Sequence, residues 1–350
     1  MIKVEIDLNA LKANLRYIKA KAGVPVLAVV KADAYGHGLV RCAQAAIEAG
    51  ADYLGTATLS EAFALREAGI KAPLLAWLLP PGEDFKRAVQ LNIELGLSSL
   101  SAFDEVNAIP GAKIHLEVES GMGRGGFSNE WPELLNRDLS KVFGIFTHLA
   151  RADEPSEAQN KTQLENFEIF VNDLKARGVN PIRHLSNTAA TLSIPDAKYD
   201  MVRVGIAMYG LSPLGRDENL KPVMKIKAKL VLVKDLPKGH PIGYGASEVT
   251  KSDTKIGIVG MGYADGIPRN AKGAGVTFMG QTAPIIGRVS MDQFAVDLGA
   301  ESSAKSGDWV TVIGEKFDAY DWAQACQTIH YEITTRISQR VPRFYLEDKE

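Results

Sequence analysis

The sequence predicts a (β/α)8 TIM-type barrel followed by a mainly antiparallel β domain. Two observations predict it. From about residue 24 to 210, short apolar runs alternate with helical stretches, and beyond residue 222 the long helices stop while Gly-punctuated, β-rich segments continue. Eight strands alternating with helices over some two hundred residues suit a parallel barrel. The same alternation is also compatible with an open doubly wound sheet.

The eight runs are VPVLAVVKA, DYLGTAT, APLLAWL, IELGL, KIHLEVE, VFGIFTHLA, IRHLSNTA and MVRVGIAMYG. Between them, LSEAFALREAG and NKTQLENFEIFVNDLKARG carry helical periodicity, the second ending on Gly178 as a helix stop. The β-rich part comprises KIKAKLVLVKDLPKG, TKIGIVGMGYADG, GVTFMGQTAPIIGRVS and DWVTVIG. The opening MIKVEIDL alternates apolar and polar residues and is expected to pair with that part, a helix from Asn9 leading into the barrel. The expected division is 9–222 for the barrel and 223–350, with strand 1–8, for the β domain.

Composition narrows the function. The chain has 350 residues, 46% hydrophobic and 23% charged, with a net charge of −2, so no nucleic-acid partner is implied. No apolar stretch reaches membrane-span or signal-peptide length, and the expected compartment is the cytoplasm. Cys42 and Cys326 are the only cysteines, with no Cys-x-x-Cys spacing; two buried free thiols are expected. No metal is expected.

In a parallel barrel, function gathers at the carboxyl ends of the strands. The first run ends in Lys31, Asp33, Tyr35, Gly36, His37 and Gly38; the fifth leads into Glu117, Gly121, Gly123 and Arg124; the sixth ends in His148. The seventh ends in His184, Asn187 and Thr188, and the eighth in Arg203, Gly205 and Ile206. A lysine closing a buried apolar strand has a lowered pKa and can form a Schiff base with an aldehyde. Read structurally, it is a rim lysine in a salt bridge. The small residues of SNTAA and VGIAMYG, at the usual phosphate corner of such barrels, expose backbone N–H groups, or merely make tight turns. Lysine and phosphate cradle on one rim together suggest pyridoxal phosphate.

At these residues the chain resembles the alanine racemase family of fold-type III pyridoxal-phosphate enzymes. The resemblance rests on AVVKADAYGHG (28–38), SGMGRGGF (120–127), THLA (147–150), HLSNTAATL (184–192), VRVGIAMYG (202–210), GYADGIPR (262–269) and GRVSMDQ (287–293), in that order. It implies a barrel plus β domain, a head-to-tail homodimer with shared sites, pyridoxal 5'-phosphate as cofactor and an amino acid as substrate. The implied reaction interconverts L- and D-alanine and supplies D-alanine for peptidoglycan.

By motif position, Lys31 resembles the lysine that holds the cofactor. Tyr35, Asn187, Thr188, Gly205 and Ile206 match the phosphate set, Arg203 matches the arginine facing the pyridine nitrogen, and His148 and His184 match its neighbours. Tyr263 resembles the second catalytic base, contributed by the partner subunit. Arg124 and the N–H of Met291 resemble the substrate-carboxylate site, with Arg288 and Asp292 in the same dimer-facing motif. Each has a plainer reading: a hairpin turn around Tyr263 and Asp265, a satisfied core histidine at 148, a surface pair of Arg288 with Asp292. Inverting Cα requires proton removal on one face and delivery on the other, which two bases accomplish.

The chain departs from the family pattern twice. Glu117 stands where many members carry a lysine that becomes carbamylated; its carboxylate supplies a comparable charge beside Arg124. Gln339 stands where many relatives have a tyrosine near the phosphate and the entrance. That departure leaves serine, or a broader set of amino acids, as an alternative substrate range. The rivals are a basic-amino-acid decarboxylase of the same barrel type, a non-catalytic carrier of the cofactor, and a scaffold with a decayed site. The GYADG tyrosine, the long β domain and the retained Lys31, Tyr263 and Arg203 weigh against them in turn.

Overall fold

The computed structural model describes residues 1–217 and 219–347, so the last three residues of the C-terminal domain expected to reach 350 lie outside the described residues. The chain divides into two compact units. One comprises Ala10–Ala34 and Leu39–Lys221; the other comprises Met1–Asn9, Tyr35–Gly38 and Pro222–Glu350.

Strand β1 (Ile2–Asp7) runs into the helix Leu8–Ala22. The first unit is then built on β2 (Val26–Val29), β3 (Tyr53–Thr56), β4 (Leu74–Ala76), β5 (Ile93–Leu97), β6 (Ile114–Glu117), β7 (Val142–Phe146), β8 (Ile182–His184) and β9 (Val202–Val204). They lie in one parallel sheet in the order β8-β7-β6-β5-β4-β3-β2-β9. The two ends of that path meet: the Arg203 N–H donates to the Ser186 carbonyl at 2.8 Å, and the Asp200 N–H to the Arg183 carbonyl at 3.1 Å. The result is the eight-stranded barrel and not the open sheet.

Local chemistry explains the helices around it. Thr58 and Glu61 form a capping box at the start of Leu59–Glu67, each side chain accepting the other's backbone N–H. Ala158–Lys175 ends as its sequence predicts, Gly178 taking φ +79° and donating its N–H to the Lys175 carbonyl at 2.9 Å. After β6 the pattern breaks. Residues 118–130 form a loop, and only the four-residue helix Trp131–Leu134 follows.

The second unit holds β1 with β10 (Met224–Leu236), β11 (Pro241–Ile242), β12 (Glu248–Val249), β13 (Thr254–Val259), β14 (Gly275–Phe278), β15 (Gln281–Pro284), β16 (Phe294–Asp297), β17 (Trp309–Ile313) and β18 (Arg343–Leu346). Its sheet runs β15-β14-β17-β10-β1-β18, with β13 bridging β10 and β16. Among the described pairs only β1 with β18 is parallel. Ile226, Ala228, Leu230, Val312 and Trp322 are buried in its core, the Trp322 indole donating to the Val312 carbonyl at 2.7 Å.

Both cysteines are free thiols, but only Cys42 is buried. Cys326 is half-buried, because it caps the end of the helix Ala319–Ala325 instead of lying on its buried face. Among the described residues no helix is long and apolar enough to cross a membrane, and no group of three or more His, Cys, Asp or Glu side chains could hold a metal.

Candidate active site

Lys31 follows directly on β2, whose four residues are all buried. Ala32, Asp33, Ala34 and Tyr35 then take φ of +53° to +55°, four successive left-handed residues with a Cβ. Each costs about 1–2 kcal/mol relative to right-handed backbone, so the turn persists only because it is held. Ala32 N–H donates to Glu61 Oε1 at 2.6 Å, and Asp33 Oδ1 accepts the Leu39 N–H at 2.8 Å. Burial lowers the Lys31 pKa, Arg124 and Arg203 lower it further by like-charge repulsion, and Glu61 opposes them.

Arg203 projects from β9 and is 6% exposed. Its Nη1 donates to the His184 carbonyl at 2.5 Å and to His184 Nδ1 at 3.2 Å. Its Nη2 donates to the Thr147 carbonyl at 2.7 Å and to His148 Nδ1 at 3.4 Å, and the guanidinium lies 5.3 Å from the centre of the Phe146 ring. Burial lowers its pKa to about 10, against the pull of Glu117. It therefore remains a cation near neutrality. A guanidinium has no acceptor, so both histidine nitrogens that face it are acceptors. Burial and then Arg203 lower His148 to about 3, leaving a neutral ring.

Beside it, the Asn187 side chain caps Thr188–Ser193 by accepting the Ala190 N–H at 3.0 Å. The Thr188 hydroxyl accepts the Gly205 N–H at 3.0 Å, tying together the two turns read as a phosphate cradle. Ile206 opens a buried 3-10 turn.

The loop after β6 is shaped by one carboxylate. Glu119 accepts the N–H groups of Gly121 at 2.5 Å, Met122 at 2.6 Å, Gly123 at 2.8 Å and Arg124 at 3.1 Å. Desolvation works against the ionised form, but these four donors hold Glu119 below the usual carboxylate range. Gln159, Gln163 and Asn166, on one face of Ala158–Lys175, clamp the same loop through the Gly121 carbonyl, the Ser120 hydroxyl and the Ser120 carbonyl. Gln163 also spans the His148 carbonyl and the Ala150 N–H. Arg124 leaves this loop with its side chain exposed. Burial raises the Glu117 pKa, while Arg203 and Arg124 pull it down.

In the second unit, Tyr263 begins a 3-10 turn, Tyr263–Asp265, rather than a hairpin, and is 39% exposed. Its N–H donates to the Ser290 carbonyl and the Ala264 N–H to the Met291 carbonyl, each at 3.0 Å. A Cβ on Gly262 would lie 2.3 Å from the Met291 oxygen, which explains the glycine before the tyrosine. Asp265 is buried, accepting the Gly262 N–H at 2.8 Å and Arg340 Nε at 2.7 Å. The plainer reading of Arg288 and Asp292 as a surface pair does not hold, for Asp292 takes Arg340 instead, at 2.6 Å. Arg288 is exposed with its guanidinium against Gly245. Gln339 is exposed, and Met291 is 54% exposed. Tyr35 also lies in this unit, its ring 6.3 Å from that of Tyr331, and burial raises its pKa.

The family profile for the alanine racemase N-terminal domain matches residues 6–213, and that for the C-terminal domain matches residues 223–345. The chain belongs to the alanine racemase family. It is 42% identical to an alanine racemase of Streptomyces coelicolor, over 99% of this chain and 96% of the relative. The crystal structure of alanine racemase from the D-cycloserine producer Streptomyces lavendulae superposes with a TM-score of 0.96 at 43% identity, over 99% and 97% of the two chains. A Bartonella henselae alanine racemase, solved with covalently bound pyridoxal phosphate, gives 0.91 at 28% identity, over 99% of each. Membership makes this chain an isomerase acting on amino acids.

Of the expected site residues, Lys31, Arg203, His148, His184, Asn187, Thr188, Gly205, Ile206, Glu117 and Arg124 belong to the barrel unit, and Tyr35, Tyr263, Met291, Arg288, Asp292 and Gln339 to the β unit. Sequence reading misses Glu61, Glu94, His115, Glu119 and Gln163. Glu61 alone carried a usable signal, the Thr-x-x-Glu capping box.

Proposed function

We propose that this chain interconverts L-alanine and D-alanine with pyridoxal phosphate, in a homodimer whose sites each combine Lys31 of one protomer with Tyr263 of the partner subunit. The observation that carries the reading is the setting of Lys31: an amine at the end of a buried strand, depressed by burial and by two arginines. The donor set fits the cofactor. Lys31 offers a primary amine for its aldehyde carbon, the turns at Asn187–Thr188 and Gly205–Ile206, with Tyr35, offer hydroxyl and N–H groups for its phosphate, and Arg203 offers a cation for its ring nitrogen. The covalent adduct in the Bartonella relative supports the same assignment.

When bound, the cofactor supplies an electron-withdrawing ring that acidifies the Cα–H of the amino acid. The Lys31 amine would take or return the Cα proton on one face. Tyr263 of the partner subunit does so on the other, because one base fixed to one face cannot invert a centre. The exposure of Tyr263 and Met291 supports their service to a neighbouring protomer. Arg203 does not give up its proton and so leaves the ring nitrogen unprotonated, which favours racemisation over transamination. His148 and His184 hold that guanidinium in place. Arg124 and the N–H of Met291 of the partner subunit bind the substrate carboxylate, with Glu117 turning Arg124 toward it, Arg288 and Asp292 in the same dimer-facing motif as Met291, and Gln339 near the phosphate and the entrance. On this reading the enzyme is cytoplasmic and its D-alanine enters peptidoglycan.

The test is a circular-dichroism assay of the chain with added pyridoxal phosphate on each enantiomer of alanine and on L-serine. The signal of both alanine enantiomers decays to zero. A cofactor-loaded chain that leaves both signals unchanged overturns the proposal, and equal rates on serine assign the broader substrate range.

A further inference from the structure

Four buried polar side chains run through the barrel unit on β5, β6, β8 and β9. Glu94 Oε2 lies 2.9 Å from His115 Nε2, His115 Nδ1 lies 2.8 Å from His184 Nε2, and His184 Nδ1 lies 3.2 Å from Arg203 Nη1. Both histidines are fully buried, Arg203 and Glu94 nearly so. At the far end Lys113, exposed, reaches Glu94 at 3.2 Å.

The two ends dictate every proton between them. Arg203 can only donate, so His184 Nδ1 accepts and the His184 proton sits on Nε2. That proton is donated to His115 Nδ1, so the His115 proton also sits on Nε2 and is donated to Glu94. A proton on Nδ1 of either ring would set two donors against each other at its contact or at the next one toward Arg203. Both rings are therefore neutral, and only one orientation of the chain satisfies all three contacts.

Packing holds the rings in that orientation. Phe146 stacks on His184 with ring centres 5.1 Å apart, and Phe143 meets His115 edge-on at 5.7 Å. Gly144 on β7 leaves the room His115 occupies, since a Cβ there would lie 2.1 Å from Nδ1. Beyond Lys113, Arg66 and Tyr53 also lie in electrostatic reach of Glu94.

The geometry assigns Glu94 and His115 as positioning residues that act through His184 on Arg203. The carboxylate accepts the proton that this order leaves on His115 Nε2, so the pair of rings that presents a lone pair, not an N–H, to the guanidinium ends on a satisfied buried donor. This rests on the proposed role of Arg203 only for its effect on reaction choice; the tautomer assignment stands apart from it.

The test is 15N NMR of histidine-labelled protein, which carries six histidines. His115 and His184 are both neutral with the proton on Nε2; an Nδ1 proton or a cation on either overturns the assignment. Glu94→Leu leaves the buried His115 Nε2–H without an acceptor, so no proton order satisfies every group and the wild-type tautomers are no longer the sole population, whereas Glu94→Gln keeps an acceptor oxygen and the wild-type tautomers. In the cofactor-loaded enzyme, pyruvate released per alanine inverted rises about tenfold in Glu94→Leu, the scale of one hydrogen bond to a charged group, and is restored in Glu94→Gln. Unchanged partitioning in Glu94→Leu with shifted tautomers overturns the action on Arg203. A wild type inactive on alanine overturns the racemase reading and leaves the NMR result to decide the tautomers.

Discussion

Glu61 Oε1 accepts the N–H of Ala32 at 2.6 Å, so the carboxylate that completes a helix cap also holds the first left-handed residue after Lys31. Its other oxygen accepts the N–H groups of Ala57 and Thr58. Glu61→Ala therefore loses a cap and the brace of a strained turn together, and lowers unfolding stability by roughly 1–3 kcal/mol. Glu61→Gln keeps an acceptor and loses less. Urea unfolding of the two variants checks this; equal stabilities would separate the cap from the turn.

Lys31 gives a pH dependence whose sign is fixed. Its folded-state pKa is depressed by burial, then by Arg124 and Arg203, while the unfolded value is about 10.4. Between the two, the unfolded chain binds the extra proton, so the cofactor-free protein gains stability as pH rises. Lys31→Met removes the term. The cofactor-free variant is more stable than wild type near neutrality, and the difference shrinks as pH approaches the unfolded lysine value. Thermal melts across that range read it, and a gap that widens with pH contradicts it.

Barrel strands were legible because parallel strands buried on both faces read as unbroken apolar runs, and Lys31 and Arg203 because charge interrupts such runs. The polar interior was not. Glu94 and His115 look like isolated breaks in IELGL and KIHLEVE, and the register that pairs them exists only once the strands align. Glu119 was equally silent, since its four partners are backbone groups. The plainer reading of Arg288 and Asp292 as a surface pair does not hold, since Arg340, about fifty residues on, reaches Asp292 instead, a contact that no local spacing announces.

Glu119→Ala frees four N–H groups and loosens the loop that carries Arg124. The proposed role of Arg124 is to bind the substrate carboxylate in ground and transition state alike. KM for alanine rises about tenfold while kcat changes little. Steady-state kinetics decide between this and a kcat effect, which would place the loop in the chemical step.

Arg203→Glu exchanges a cation that withholds its proton for a carboxylate that favours a protonated ring nitrogen. Racemisation falls by about a hundredfold or more, and pyruvate formed per alanine inverted rises. Variant protein with unchanged partitioning would separate Arg203 from reaction choice.

Shared sites make a further demand, because Lys31 and Tyr263 must then come from different protomers. Lys31→Ala and Tyr263→Phe are each inactive as homodimers, every site lacking one base. Mixed and allowed to exchange subunits, half of the dimers become hybrids. In each hybrid one site combines an intact Lys31 with an intact Tyr263, and the other lacks both. An equal mixture therefore recovers about one quarter of wild-type activity per subunit, the share set by two-fold symmetry. Labelled subunits followed by native mass spectrometry establish that exchange has occurred. With hybrids present and the mixture as inactive as its parents, each protomer would supply both bases to its own site, and the exposure of Tyr263 would need another cause.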